Sequence, residues 1–150
     1  MTWSEMRKKL EQEYLAESLR GRIQYFATNY RKSHDEEGRT AIRLDGKEIL
    51  RGNFYQCDRY HYPTPDDRSL DLGAFDQWAF YAAFREFDNQ SIEKSLRSDN
   101  LIVRILAILD RRVGKRRLLQ MKETIENEPK HFQAFFAIRM EAEGLLTEKV

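Results

Sequence analysis

Trp3, Met6, Leu10 and Tyr14 recur at helical spacing behind the stretch Thr2-Trp3-Ser4-Glu5, in which the Thr2 hydroxyl and the Glu5 carboxylate can each satisfy an amide at a helix start. A first helix is predicted from about Trp3 to Ser18, with Gly21 just past it as a left-handed stop. The period then changes. Arg22 to Lys32 is rich in β-branched and aromatic residues, and from Arg39 to Leu44 the residues Ile42 and Leu44 alternate with Ala41 and Arg43, so two antiparallel strands are expected on either side of "SHDEEG". Asp45-Gly46 is the favoured dipeptide of a two-residue hairpin turn, which makes Lys47 to Leu50 a third, short strand. Such a meander buries one face only and needs an apolar cover.

The cover is expected downstream. The stretch "RGNFYQCDRYHYPTPDDRSLDLG" has no regular period, and its Pro63, Pro65 and Asp66-Asp67 mark a long connection. From about Ala74 to Asp88, apolar residues occupy most of a helical wheel, with Phe75, Trp78, Ala79 and Ala82 on one flank and Phe80, Phe84 and Phe87 on another. That pattern predicts a central, buried helix. Ser91 and Ser98 are suited to cap a short helix near Ile92 to Leu96 and a longer one near Asp99 to Val113, which would turn Leu101, Ile105, Leu106, Ile108 and Leu109 inward. Gly114 should end or bend it. A further helix near Lys115 to Asn127 precedes Pro129, which suits the first turn of a last helix carrying Phe132, Phe135, Phe136 and Met140. The expected fold class is α+β: an N-terminal helix, a three-stranded antiparallel meander, then a C-terminal array of four to five helices packed on the sheet, in a single domain over 1–150.

Bulk composition narrows the class further. At 150 residues and 41% hydrophobic, with nine Phe, seven Tyr and two Trp, the chain can build the core of one domain. It has no run of about 18 apolar residues and no apolar stretch of a secretory signal near its start, so a cytoplasmic protein with no membrane partner is expected. Cys57 is the only cysteine; no internal disulfide can form, which fits a reducing compartment. The net charge of +1 gives no global field toward polyanions. Any such attraction must be local.

Catalytic signatures are missing. His34, His61 and His131 show no metal or catalytic spacing, Cys57 with His61 is too little for zinc, and there is no phosphate-binding glycine loop. No catalytic residue, metal or cofactor is therefore assigned. The acidic runs Asp35-Glu36-Glu37 and Asp66-Asp67 read as solvated turn residues, and an enzyme built on carboxylates and His61 is the least supported alternative. The loop holding Phe54, Tyr55, Arg59, Tyr60 and Tyr62 either seals the core or grips a partner, as in an interaction module of immunity or antitoxin type.

One feature stands out electrostatically. Arg104, Arg111, Arg112, Lys115, Arg116 and Arg117 bring six cations against one acid between 104 and 117, a local charge of +5 that leaves −4 on the remainder. Arg111 and Arg112 in a helix's last turn would complement its negative end. Lys115, Arg116 and Arg117 in the first turn of the next helix would oppose its positive end by about 0.3–1 kcal/mol each when exposed. Something negative is expected there: an internal carboxylate, or an anionic partner, which is nucleic acid or an acidic protein.

Trp3-Ser4, Gly21-Arg22 with Tyr25, Asp45 to Ile49 (Asp-Gly-Lys-Glu-Ile) and Leu109 to Leu118 (Leu-Asp-Arg-Arg-Val-Gly-Lys-Arg-Arg-Leu) resemble the shared segments of a family of small bacterial proteins of unassigned function. The resemblance covers residues 2–50 and 91–126. It implies a shared fold and assigns no activity. Some members carry a nonribosomal peptide synthetase label, which these residues do not support: the Gly-rich motif around a carrier serine is missing.

Overall fold

A computed structural model of the chain describes residues 1–29, 38–53 and 64–146. Helix α1 (Trp3–Lys8) starts with the reciprocal cap expected of it, the Glu5 N–H donating to Thr2 Oγ1 at 3.2 Å and the Thr2 N–H to Glu5 Oε1 at 3.3 Å. The chain then widens into a π-helical segment, Lys9–Tyr14. The predicted continuation to Ser18 fails because the backbone has other partners there. The Ala16 N–H donates to the Leu109 carbonyl at 2.9 Å, and the Arg111 N–H donates to the Tyr14 carbonyl at 2.7 Å. Gly21, at φ 80°, turns the chain into the sheet.

Strands β1 (Ile23–Asn29), β2 (Gly38–Leu44) and β3 (Lys47–Asn53) form an antiparallel meander in that order, with Tyr25 opposite Ile42 and Ile42 opposite Leu50. Asp45 and Gly46 have φ of 52° and 87°, as the tight hairpin requires. β3 runs three residues beyond the predicted Leu50. Gly52 shows why: a Cβ there would lie 2.2 Å from the Phe75 carbonyl oxygen, so only bare backbone lets the segment before α3 close on the strand.

The long connection contains a helix the reading above missed, α2 (Asp67–Leu72), started by Asp66, whose carboxylate accepts from the Ser69 N–H at 2.9 Å. Helix α3 (Gln77–Asp88), capped by Asp76, buries Phe80, Ala83, Phe84 and Phe87. It is not buried all round, however, since Trp78 is 52% exposed. Helix α4 (Ile92–Leu96) begins at Ser91 as expected. Helix α5 (Leu101–Ile108) is capped by Asn100 instead of Ser98, whose hydroxyl accepts the Asn100 N–H at 3.0 Å. All of α5 except Arg104 is buried between α3 and α7. Helices α6 (Lys115–Lys122) and α7 (Lys130–Ala142) complete the array; Phe132, Phe135, Phe136 and Met140 of α7 join the same apolar cluster as the sheet's inner residues. No helix of the described residues is long and apolar enough to cross a membrane.

Candidate functional site

The basic octet lies where α5 stops and α6 begins. Helix α5 ends at Ile108, not Val113, so Arg111 and Arg112 fall beyond its last turn. The buried carbonyls at its end and in the turn that follows are met instead by Arg139 of α7, a residue that sequence reasoning did not select. The Arg139 guanidinium donates to the carbonyls of Ile108 at 2.9 Å, Asp110 at 2.8 Å and Val113 at 2.6 Å, and to the Glu143 carboxylate at 2.8 Å. At 3% exposure it is a buried cation held by its own hydrogen bonds. The signal was present: Arg139 lies on the face of α7 that otherwise carries Phe132, Phe135, Phe136 and Met140.

The six predicted anion-binding residues divide. Arg104 donates to the Leu96 carbonyl at 3.0 Å, pairs with Glu128 and covers the Phe132 ring. Arg112 forks onto the buried Asp110 at 3.0 and 2.8 Å and stacks over Tyr14. Arg117 forks onto Glu93 of α4; that pairing lowers the Glu93 carboxyl and raises Arg117 from their ordinary values. Arg111 gives its Nε–H to the Glu13 carbonyl at 2.6 Å and stays exposed. Lys115 and Arg116 are exposed, with no hydrogen bond or ion pair among the described residues.

Those two cations stand at a helix start whose own first turn brings no acid to offset it. Gly114, at φ −85° and ψ 174°, is extended and caps α6 without a side chain, and the first turn carries no acid. Beside them a hollow of about 350 Å³ is lined by Glu17, Ser18, Arg111, Lys115, Arg139 and Glu143. Burial would raise the Glu143 carboxyl, but Ser18, Arg139 and the more distant Lys115 hold it below its usual value. The hollow is thus of mixed sign, and the positive surface is the α6 start itself.

Phe54, Tyr55, Arg59, Tyr60 and Tyr62 lie outside the described residues, as do His34, Cys57, His61 and Asp35-Glu36-Glu37. Asp66 and Asp67 are caps, not free turn acids. The Asp67 carboxylate accepts the N–H groups of Lys130 at 2.7 Å and His131 at 3.0 Å, supplying the α7 start with the acceptor that Pro129 lacks. His131 meets Asp71 of α2 through Nε2 at 2.8 Å. Among the described residues no three His, Cys, Asp or Glu side chains gather as a metal site would need.

Compared with known proteins, the chain matches one family model, that of the SF0329 protein family, over residues 2–72 and 56–140. No curated protein and no solved structure matches it.

Proposed function

This chain belongs to the SF0329 protein family, and we propose from its own residues that it is a non-enzymatic binding protein whose Arg111, Lys115 and Arg116 contact an anionic partner. The observation that carries the reading is that Lys115 and Arg116 stand exposed on the uncapped first turn of α6 with no carboxylate in hydrogen-bond or ion-pair contact among the described residues, Glu143 acting on Lys115 only from a distance. A cation in that place raises the free energy of the isolated protein by about 0.3–1 kcal/mol, and a partner's carboxylate would turn the same place into a favourable one. Arg104, Arg112 and Arg117 enter the proposal as the frame around it, because each already faces an internal carboxylate.

That contraction from six cations to three favours an acidic protein face over nucleic acid. Duplex binders commonly neutralise about six to ten phosphates, whereas three contacts fit a small acidic patch. Fluorescence anisotropy at low salt with labelled poly-L-glutamate, duplex DNA and single-stranded RNA tests the choice. Binding of the polypeptide in preference to both nucleic acids is expected. Tighter binding of either nucleic acid, with a log–log salt slope steeper than about −5, overturns the choice of partner.

A further inference from the structure

We infer that the cleft between β3 and the corner of α2 and α7 is a binding site for a nucleotide-sized phosphate monoester, a site separate from the α6 start. Its volume is about 550 Å³, within the ~300–1,000 Å³ usual for small-molecule sites. The walls divide by chemistry. Arg39, Arg51 and His131 bring positive or hydrogen-bonding groups, while Ile49 and Leu72 expose apolar side chains at 37% and 57%. A phosphate with a flat organic body matches both halves, as a bare inorganic anion does not.

The cationic wall is held in place from behind. Glu48 takes Arg39 in a fork at 2.9 and 2.6 Å and Arg43 at 3.2 Å, and the guanidinium of Arg43 lies 4.4 Å over the Phe26 ring. Arg51 is different. It comes no nearer than 3.9 Å to Glu48, is 76% exposed, and makes no hydrogen bond among the described residues. Its five N–H donors are therefore available to a ligand oxygen.

On the opposite wall His131 is oriented rather than free to turn. Asp67 holds its backbone N–H at 3.0 Å and Asp71 holds Nε2 at 2.8 Å, with Lys130 Nζ also on Asp71 at 2.9 Å. The second ring nitrogen, Nδ1, makes no hydrogen bond among the described residues. With Nε2–H donated to Asp71, Nδ1 accepts when the ring is neutral and donates when it is protonated. A phosphate monoester, which offers ionised oxygens and gains or loses a proton near neutrality, can satisfy it in either state. Among the described residues around the cleft, Arg39, Arg43, Arg51 and Lys130 stand against Glu48, Asp67 and Asp71, an excess of one positive charge before His131 is counted.

The competing explanation is that Asp71 merely staples α2 to α7. Isothermal titration calorimetry of the intact chain with the four ribonucleoside 5′-monophosphates, their nucleosides and inorganic phosphate separates the two. At least one monophosphate should bind with a dissociation constant below about 1 mM, and its nucleoside at least about tenfold more weakly. Arg51→Ala, at an exposed position where folding is not at stake, should weaken that binding by about tenfold or more, and His131→Gln should weaken it too. Lys115→Glu with Arg116→Glu should leave it unchanged, so this site and the proposed partner surface stand or fall apart. Absence of binding by every monophosphate up to about 1 mM, or binding indifferent to Arg51→Ala, overturns the proposal.

Discussion

At position 139 an arginine stands on a helix face that would otherwise take a leucine or methionine, and it holds three carbonyls at the α5–α6 turn. Arg139→Met keeps the bulk but leaves those carbonyls without their donor and Glu143 with Ser18 alone, so urea unfolding should show a loss of about 3–5 kcal/mol. Arg139→Lys should recover only part of it, because an ammonium has three donors at one point where the guanidinium has a planar fork. Glu48 makes a prediction of opposite kind. Arg39, joined by Arg43, holds its carboxyl down to about 2 from an unfolded value near 4.5. A depressed carboxyl stabilises the fold above the unfolded value and loses that contribution as pH falls through the folded one. Relative to Glu48→Gln, the wild type should therefore lose on the order of 1 kcal/mol between about pH 5 and pH 2, measured by urea unfolding across that range. A constant difference over the window would contradict the assigned pairing.

Elements follow local patterns until a tertiary contact overrides them, and the places where reading the chain succeeded or failed divide on that line. The Thr2 cap, the Asp45-Gly46 hairpin, the Ser91 cap and the α6 start after Gly114 are local, and each was legible, whereas α5 stops at Ile108, well short of Gly114. The early end of the first helix was not, because Leu15, Ala16 and Arg111 are paired across nearly a hundred residues of sequence. Helix α2 was hidden by its own acids: Asp66 and Asp67 look like solvated turn residues until one is seen to cap α2 and the other α7. The same logic split the candidate site. The sequence pattern located the charge at the junction, but it could not show that Glu128 and Glu93 would come from elsewhere, and Asp110 from within the junction, to meet half of it. At α6 the expectation is specific. A Cβ at Gly114 would meet nothing within 4 Å, so Gly114→Asp can place a carboxylate over the uncapped amides. Thermal unfolding should show a gain of about 0.5–1 kcal/mol, and a loss would mean that the α6 start is already satisfied.

The whole molecule carries almost no net charge, so what it attracts depends on where charge is left uncompensated. Internal pairing of Arg104, Arg112 and Arg117 leaves Arg111, Lys115 and Arg116 as the outward part of the junction, and the account rests on the last two. Titration of labelled poly-L-glutamate into the wild type and into Lys115→Glu/Arg116→Glu at low salt addresses this directly, with circular dichroism confirming that both are folded. The account predicts saturable binding by the wild type that is suppressed by added salt and reduced at least about tenfold by the double charge reversal. Equal affinity of the two proteins, or binding insensitive to salt, would contradict it.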